Sequence, residues 1–303
     1  MPKTVVARSL ANEDNRCNLS LLAKLFGIAR SSLHHESVMK KKDEISRKEL
    51  ESVHTEHPWY GHRRIAWTLG WSLGKTRRLM KAFSVSALVK KSRKWTKNED
   101  VWIPDTGIPN LAKEIPASRP NRVWRTDFTY LAWKGMPFYL ATVLDAYSRE
   151  IVGYAISLRH TKEFVLEAMK DAIRKTKCVP EILHSDQGSE YRSFLVLDFL
   201  TKNFIRPSMS TKASPWQNGH QESYYGKLKL ECGNLNSFAS FEEVIEAIHH
   251  RIFYYNRKRM HTALKMPPVT YRERYYLLQK REKEETESLA KRDSELTFEA
   301  SLE

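Results

Sequence analysis

The apolar runs between Asn121 and Cys232 constrain this chain more than any other feature. "RVWRTDFTYLAW" is β-branched and aromatic, "KGMP" is a turn, "FYLATVLDAYS" is a second apolar run, and "REIVGYAISL" follows a tight reversal. Runs of this kind separated by short turns predict three strands in hairpin order, paired antiparallel. "TKEFVLEAMKDAIRKT" then shows helical spacing at Phe164, Val165, Ala168, Met169, Ala172 and Ile173, with Thr161 as its N-cap. "PEILHSD" predicts a fourth strand, "EYRSFLVLDFLTKN" a second helix, "FIRPSMS" a fifth strand and "NGHQESYYGKLKLEC" a third helix. The order βββαβαβα predicts an α/β fold, a mixed five-stranded sheet with flanking helices.

Three carboxylates fall at telling places in that order. Asp127 lies in the first strand, Asp186 ends the fourth, and Glu222 sits in the first turns of the third helix. A lone Asp at a strand end is ordinarily a turn former, bonding the backbone two residues on. Adjacent central strands would bring Asp127 and Asp186 side by side, and a helix crossing there would add Glu222. Hard divalent cations take oxygen ligands, and Mg²⁺ is commonly held by a few carboxylates and a substrate phosphate. Two such ions can activate an attacking oxygen and stabilise a leaving one.

Thirty-five residues, 187 through 221, separate Asp186 from Glu222. This spacing resembles the D,D(35)E pattern of bacterial transposases and retroviral integrases, which have a ribonuclease H-like fold. The words "VWRTDFTYL", "LHSDQGSEY" and "MSTKASPWQNGHQESYYGKLKLE" carry the likeness, with "HPWYGHRRI" upstream and "YYNRKRMHTALKMPP" downstream. Together they most resemble the IS3 family of insertion-sequence transposases, in particular the second-reading-frame product, over roughly Leu19 to Tyr271. Family members often carry "WDNAPMES" where this chain has "WQNGHQES"; the Glu-Ser pair is common to both. No heptad array precedes Leu19, where a first-frame segment of the family has a leucine zipper.

The resemblance implies a DNA transposase that cleaves phosphodiesters and transfers strands at the ends of an insertion sequence. Asp127, Asp186 and Glu222 would be its catalytic residues and metal ligands, for Mg²⁺ or Mn²⁺ and two ions. The implied partners are double-stranded DNA (terminal repeats and target), further copies of the chain on DNA, and the first-frame product. One alternative is a DNA-binding regulatory or assembly subunit with an idle core; the three intact acids argue against it. A second is a nuclease acting on RNA–DNA hybrids; the basic helical units upstream favour duplex DNA instead.

Those units hold most of the net charge of +15. Residues 1–126 carry 25 Lys and Arg against 12 Asp and Glu, residues 127–230 carry 14 against 11, and residues 231–303 carry 12 against 13. A basic surface concentrates on polyanions. "NLSLLAKLFGIARSSLHHE" predicts two short helices about Gly27, with Ala23 at the crossing and Leu33 as anchor, a helix-turn-helix-like unit. "WYGHRRIAWTLGWSLGKTRRLMKAFSVSALVKK" predicts a second. Ile65, Leu69, Leu79 and Met80 form its apolar face; Arg63, Arg64, Lys75, Arg77, Arg78 and Lys81 form a cationic one for phosphates. No acid falls between Glu56 and Glu99.

Lys229 follows Glu222 by seven residues, two helical turns, and so shares its face; Lys227 lies roughly 100–140° away. Both are candidate DNA contacts, as are Arg257, Lys258 and Arg259 in a basic cluster ending a further helix. The expected layout is helical residues 1–56, a second basic unit 57–94, an extended linker 95–120 with four prolines between 91 and 120, the catalytic core 121–232, a helical extension 233–275, and a charged tail 276–303 fraying from a solvated helix. Three isolated cysteines, Cys17, Cys178 and Cys232, exclude a structural zinc motif and fit a reducing cytoplasm, where the chain would act at the nucleoid. No apolar stretch approaches the roughly 18 residues of a membrane span, and no membrane partner is expected.

Overall fold

A single eleven-residue strand, β1 (Val123–Trp133), organises the structure around the acids. The computed structural model describes residues 6–7, 9–10, 18–34, 38–88, 107–210 and 219–300. The chain divides into two units, Met1–Leu88 and Val89–Glu303.

In the second unit, β1 runs antiparallel to β2 (Met136–Asp145), which pairs antiparallel with β3 (Ile151–Ser157). On its other side β1 runs parallel to β4 (Ile182–Ser185), which is parallel to β5 (Arg206–Met209). The order is β3-β2-β1-β4-β5. This is the expected mixed five-stranded sheet, with each strand where the apolar runs placed it. Parallel pairing needs crossovers, and helices α7 (Lys162–Thr176) and α8 (Phe194–Lys202) supply them. Thr161 caps α7, its hydroxyl accepting from the Phe164 N–H at 3.4 Å.

Alternation along β1 sorts the two faces. Trp124 packs with Val165, Met169 and Leu200 of α7 and α8. Leu131 packs on the opposite face with Tyr224, Tyr225 and Leu228 of α9 (Gly219–Cys232) and with Val244, Ile248 and Ile252 of α10 (Phe241–Arg257). Asp127 has the parity of Leu131, so it faces the α9 side. Helix α10 therefore completes the core rather than extending from it.

Strand β3 meets α7 through Gly153, where a Cβ would lie 2.5 Å from both the Ala168 carbonyl oxygen and the Ala172 nitrogen. Backbone cannot give way as a flexible side chain can. Gly153→Ala should cost about 1–3 kcal/mol of stability, the usual penalty for overpacking. Denaturant unfolding checks this; a midpoint equal to that of the unsubstituted chain would show that α7 can shift freely.

The linker expectation needs correction over residues 107–120; 89–106 lie outside the described residues. A short helix, α6 (Leu111–Glu114), packs Leu111, Ala112 and Ile115 on Val123, Ala146 and Ile182. The Met209 N–H donates to the Pro109 carbonyl at 3.2 Å, and the Ala112 N–H to Ser208 Oγ at 3.1 Å. The chain is thus tied onto the sheet before β1 begins. Helix α11 runs without a break from Pro268 to Ala300. Through residue 289 its outer part is exposed and crossed by i, i+4 Lys–Glu pairs, a solvated helix.

In the first unit α1 (Leu19–Phe26) is capped by Asn18 and ends at Gly27, whose φ of 62° is the left-handed geometry that glycine adopts without strain. Ala23 and Leu33 are buried together, Leu33 on α2 (Arg30–His34). Helices α3 (Val38–Glu56), α4 (His62–Leu69) and α5 (Leu73–Ala82) follow. Ile65 and Leu79 are fully buried, as their apolar-face assignment requires, while Leu69 and Met80 are only partly covered. No described helix is long and apolar enough to cross a membrane. Cys178 and Cys232 are free thiols; Cys17 lies outside the described residues.

Candidate active site

Asp127 occupies the middle of β1, directly opposite Thr142 of β2. Its Oδ1 accepts the Phe128 N–H at 2.8 Å. Burial, then the neighbouring Asp186 carboxylate, and to a lesser extent Glu222, push its pKa up to about 7 against the pull of that hydrogen bond. Burial is the largest of these causes, and the two carboxylates add to it because like charges nearby disfavour ionisation. Asp186 follows directly after β4 and accepts the Gly188 N–H at 3.0 Å. Asp186 is therefore the turn former its position suggests and also a neighbour of Asp127. A side chain at residue 188 would put its Cβ 3.0 Å from Asp186 Oδ1 and 3.1 Å from Glu190 Oε2, so glycine leaves the turn room to close. Burial chiefly raises the Asp186 pKa; Glu190 adds to this and His160 opposes it.

Glu222 stands exposed in the first turn of α9. The structure thus brings the three acids to one end of the β1–β4 seam, within electrostatic reach. Among the described residues no group of three or more His, Cys, Asp or Glu side chains converges closely enough to hold a metal. Chemically the set fits a hard divalent cation, since its donors are all carboxylate oxygens and their mutual repulsion is what a cation relieves.

Sequence reasoning missed the groups around the acids. His160 Nε2 lies 3.3 Å from Glu190 Oε1, and its ring packs on Phe128 and Tyr139 at centroid distances of 4.2 and 5.1 Å. Gln221, Tyr225 and Thr142 join α9 to the sheet in a buried polar cluster. A glutamine and a tyrosine beside an acid on a polar helix carry no periodic signal of burial, so nothing local announces them.

The basic candidates divide. Arg63, Arg77 and Lys81 are exposed. Arg64 lies 5.6 Å from the Tyr60 ring centroid and Lys75 3.9 Å from that of Trp71. Arg78 is exposed, and its guanidinium forks onto the Asp43 carboxylate of α3 at 2.5 and 2.7 Å. The acid-free run from 57 to 98 hid this partner because it lies on an earlier helix. Arg259 is corrected. It is 3 % exposed, its Nε donating to Glu231 at 2.6 Å, so it is paired inside the fold rather than offered to DNA. Arg257 and Lys258 are exposed, Arg257 5.5 Å from the Phe253 ring centroid. Lys227 donates to Ser223 Oγ at 2.7 Å. Lys229 is exposed on α9, its pKa lowered by partial desolvation.

Two family models described as "Integrase core domain" match residues 117–215 and 203–268. With the five-stranded sheet and its acids, that places the chain among the polynucleotidyl transferases of the DDE transposase and integrase class. The transposase InsK for IS150 of Escherichia coli is 31% identical over 271 residues, spanning 86% of this chain and 95% of that protein. The IS904 transposase of Lactococcus lactis is 34% identical over 228 residues, 73% of this chain and 90% of its own length. The transposase InsF for IS3A of Escherichia coli is 34% identical over 154 residues, covering 50% of this chain and 54% of that protein. The chain belongs to the IS3 family of insertion-sequence transposases. It is a DNA transposase, and the comparisons do not favour a DNA-binding subunit with an idle core.

Proposed function

We propose that Asp127, Asp186 and Glu222 hold one or two Mg²⁺ or Mn²⁺ ions while the chain cleaves phosphodiesters at the ends of an insertion sequence and joins the freed 3′-OH to target DNA. The observation that supports this reading is Asp127, a half-buried carboxylate whose pKa is raised by burial and by the charges of Asp186 and Glu222. Divalent ions bound there would neutralise the acids and polarise the phosphodiester. The chain's own part is position. Asp127 and Asp186 are held from below by backbone N–H donors, so neither needs to reorganise when a substrate arrives. Lys229 shares the face of Glu222 and would set the DNA backbone beside the acids as a point charge. Arg63, Arg77 and Lys81 of the first unit, with Lys227, Arg257 and Lys258, would contact phosphates; Arg64 would add a partly stacked charge. Terminal repeats and target DNA would be the duplexes bound, with further copies of the chain and a first-frame product as partners, at the nucleoid in the cytoplasm.

The test is strand transfer on a labelled duplex carrying the repeats that flank the gene. Joined product should form with Mg²⁺ or Mn²⁺ and vanish with EDTA. Product that persists in EDTA would refute the metal reading, and no product with either ion would refute the reaction. On the same duplex, Arg77→Ala should weaken binding and reduce the slope of log K against log salt by roughly 0.9, the value of one lost phosphate contact. An unchanged slope would mean that Arg77 faces solvent only.

A further inference from the structure

Glu222 is exposed, and among the described residues it takes part in no hydrogen bond or ion pair. Its position is therefore set by the helix that carries it. The residues on either side of it are fastened to the sheet. Gln221 is completely buried, and its Nε2 donates to the Arg125 carbonyl at 2.8 Å and to the Thr142 carbonyl at 3.3 Å. The Thr142 hydroxyl donates to Gln221 Oε1 at 3.1 Å. One helical turn on, the Tyr225 hydroxyl donates to the backbone carbonyl of Asp127 itself at 2.6 Å and meets Thr142 Oγ1 at 2.7 Å.

Residues 221 and 225 are four apart, so both point into the sheet on one face of α9, while Glu222 is turned about 100° from them. Their partners on β1 are the carbonyls of Arg125 and Asp127, and Thr142 is the register partner of Asp127. The fastening thus spans the very segment that carries the first acid. Apolar packing by Tyr224 and Leu228 holds α9 against the sheet. It does not fix where the helix sits along its own axis, because dispersion contacts have little directional demand. Hydrogen bonds do, since they weaken steeply away from linear geometry. A buried glutamine left unpaired would cost about 1–3 kcal/mol, so a slip of α9 is penalised on each lost bond.

We infer that Gln221 and Tyr225 are positioning residues that lock Glu222 in register with Asp127, using Thr142 as their common anchor. The inference rests on the reading of the three acids as a metal-holding set and names what sets their spacing. Groups that orient metal ligands typically contribute on the order of 10- to 100-fold to metal affinity or activity.

Tyr225→Phe is the deciding variant, because it keeps the ring that fills the core and removes only the hydroxyl. Gln221→Met, unbranched and of similar length, is the companion. The full chain is used throughout. Mn²⁺ affinity is read from the electron paramagnetic resonance signal of the free ion, with the terminal-repeat duplex present. Single-turnover cleavage, metal-free duplex affinity and the thermal midpoint are measured alongside. Tyr225→Phe should weaken Mn²⁺ binding and slow cleavage each by about 10-fold or more. Duplex affinity and thermal midpoint should stay close to those of the unsubstituted chain, and excess Mn²⁺ should recover part of the rate. Mn²⁺ affinity and rate within twofold of the unsubstituted chain would overturn the inference. So would a loss of rate that only tracks a loss of folded protein. Glu222→Gln separates the two readings. If it loses Mn²⁺ binding and cleavage while Tyr225→Phe keeps both, the acid site stands and the positioning role falls. If Glu222→Gln itself keeps both, the reading of the acids falls, and the positioning role falls with it.

Discussion

The Asp186→Asn chain is expected to lose cleavage and strand transfer by a factor on the order of 10³, while binding terminal-repeat duplex nearly as well as the unsubstituted chain. The substitution is narrow. Asparagine keeps an Oδ1 that can accept the Gly188 N–H, so the turn after β4 survives. It keeps the volume and removes one negative charge from a half-buried position beside Asp127. If the acids serve to hold divalent ions, that charge is the part of Asp186 that matters. Duplex affinity comes instead from basic surface, most of it in residues 1–126, and should be untouched. Single-turnover strand transfer measured beside a binding titration checks both halves. Retention of most activity would sink the acid assignment; equal loss of binding and rate would make Asp186 a structural residue only.

Much of this fold was legible because its signals are local. Apolar periodicity and turn residues placed all five strands and the helices between them, and the hydroxyl of Thr161 announced a helix start that the structure shows. The places of the three acids in the elements were legible too: one within a strand, one just past a strand end, one in the first turn of a helix. Polar partners distant in sequence were not. Arg78 and Asp43 are 35 residues apart, Arg259 and Glu231 are 28 apart, and each residue alone reads as a solvated charge. Periodicity says which face is apolar and is silent on which buried charge will meet which. The same holds for Gln221 and Tyr225, whose partners are backbone carbonyls that no side-chain pattern reports. Helix α6 escaped for a different reason: four residues are too few to show a period, and the prolines around it read as a linker. Its burial depends on a surface that exists only once β1, β4 and β5 have paired.

Removing the charge of Asp127 should stabilise the chain when no metal is present, although the residue is central to the proposed reaction. Burial and two neighbouring carboxylates hold its folded-state pKa at about 7, against an ordinary value of 3.8. A pKa raised on folding means that the folded state favours the protonated acid. The favourable contribution is complete below pH 3.8 and is lost as pH rises through 7. At pH 8 the carboxylate is ionised in both states, and the folded state bears the full penalty of desolvation and repulsion. A shift of this size corresponds to roughly 4 kcal/mol at 1.36 kcal/mol per unit, an upper figure for a carboxylate that keeps some contact with solvent. Asp127→Asn abolishes that penalty, and its Oδ1 can still accept from Phe128. Metal-free Asp127→Asn should therefore melt on the order of 5–10 °C above the unsubstituted chain at pH 8. The gap should narrow at pH 5, where the folded state keeps its proton. Adding Mg²⁺ at pH 8 should raise the midpoint of the unsubstituted chain and move the variant far less, because an ion that neutralises the acids removes the same penalty by another route. Calorimetric melts at both pH values, with EDTA and with Mg²⁺, read all of this directly. A variant that melts at or below the unsubstituted chain at pH 8 in EDTA would show that the three acids are not crowded in solution.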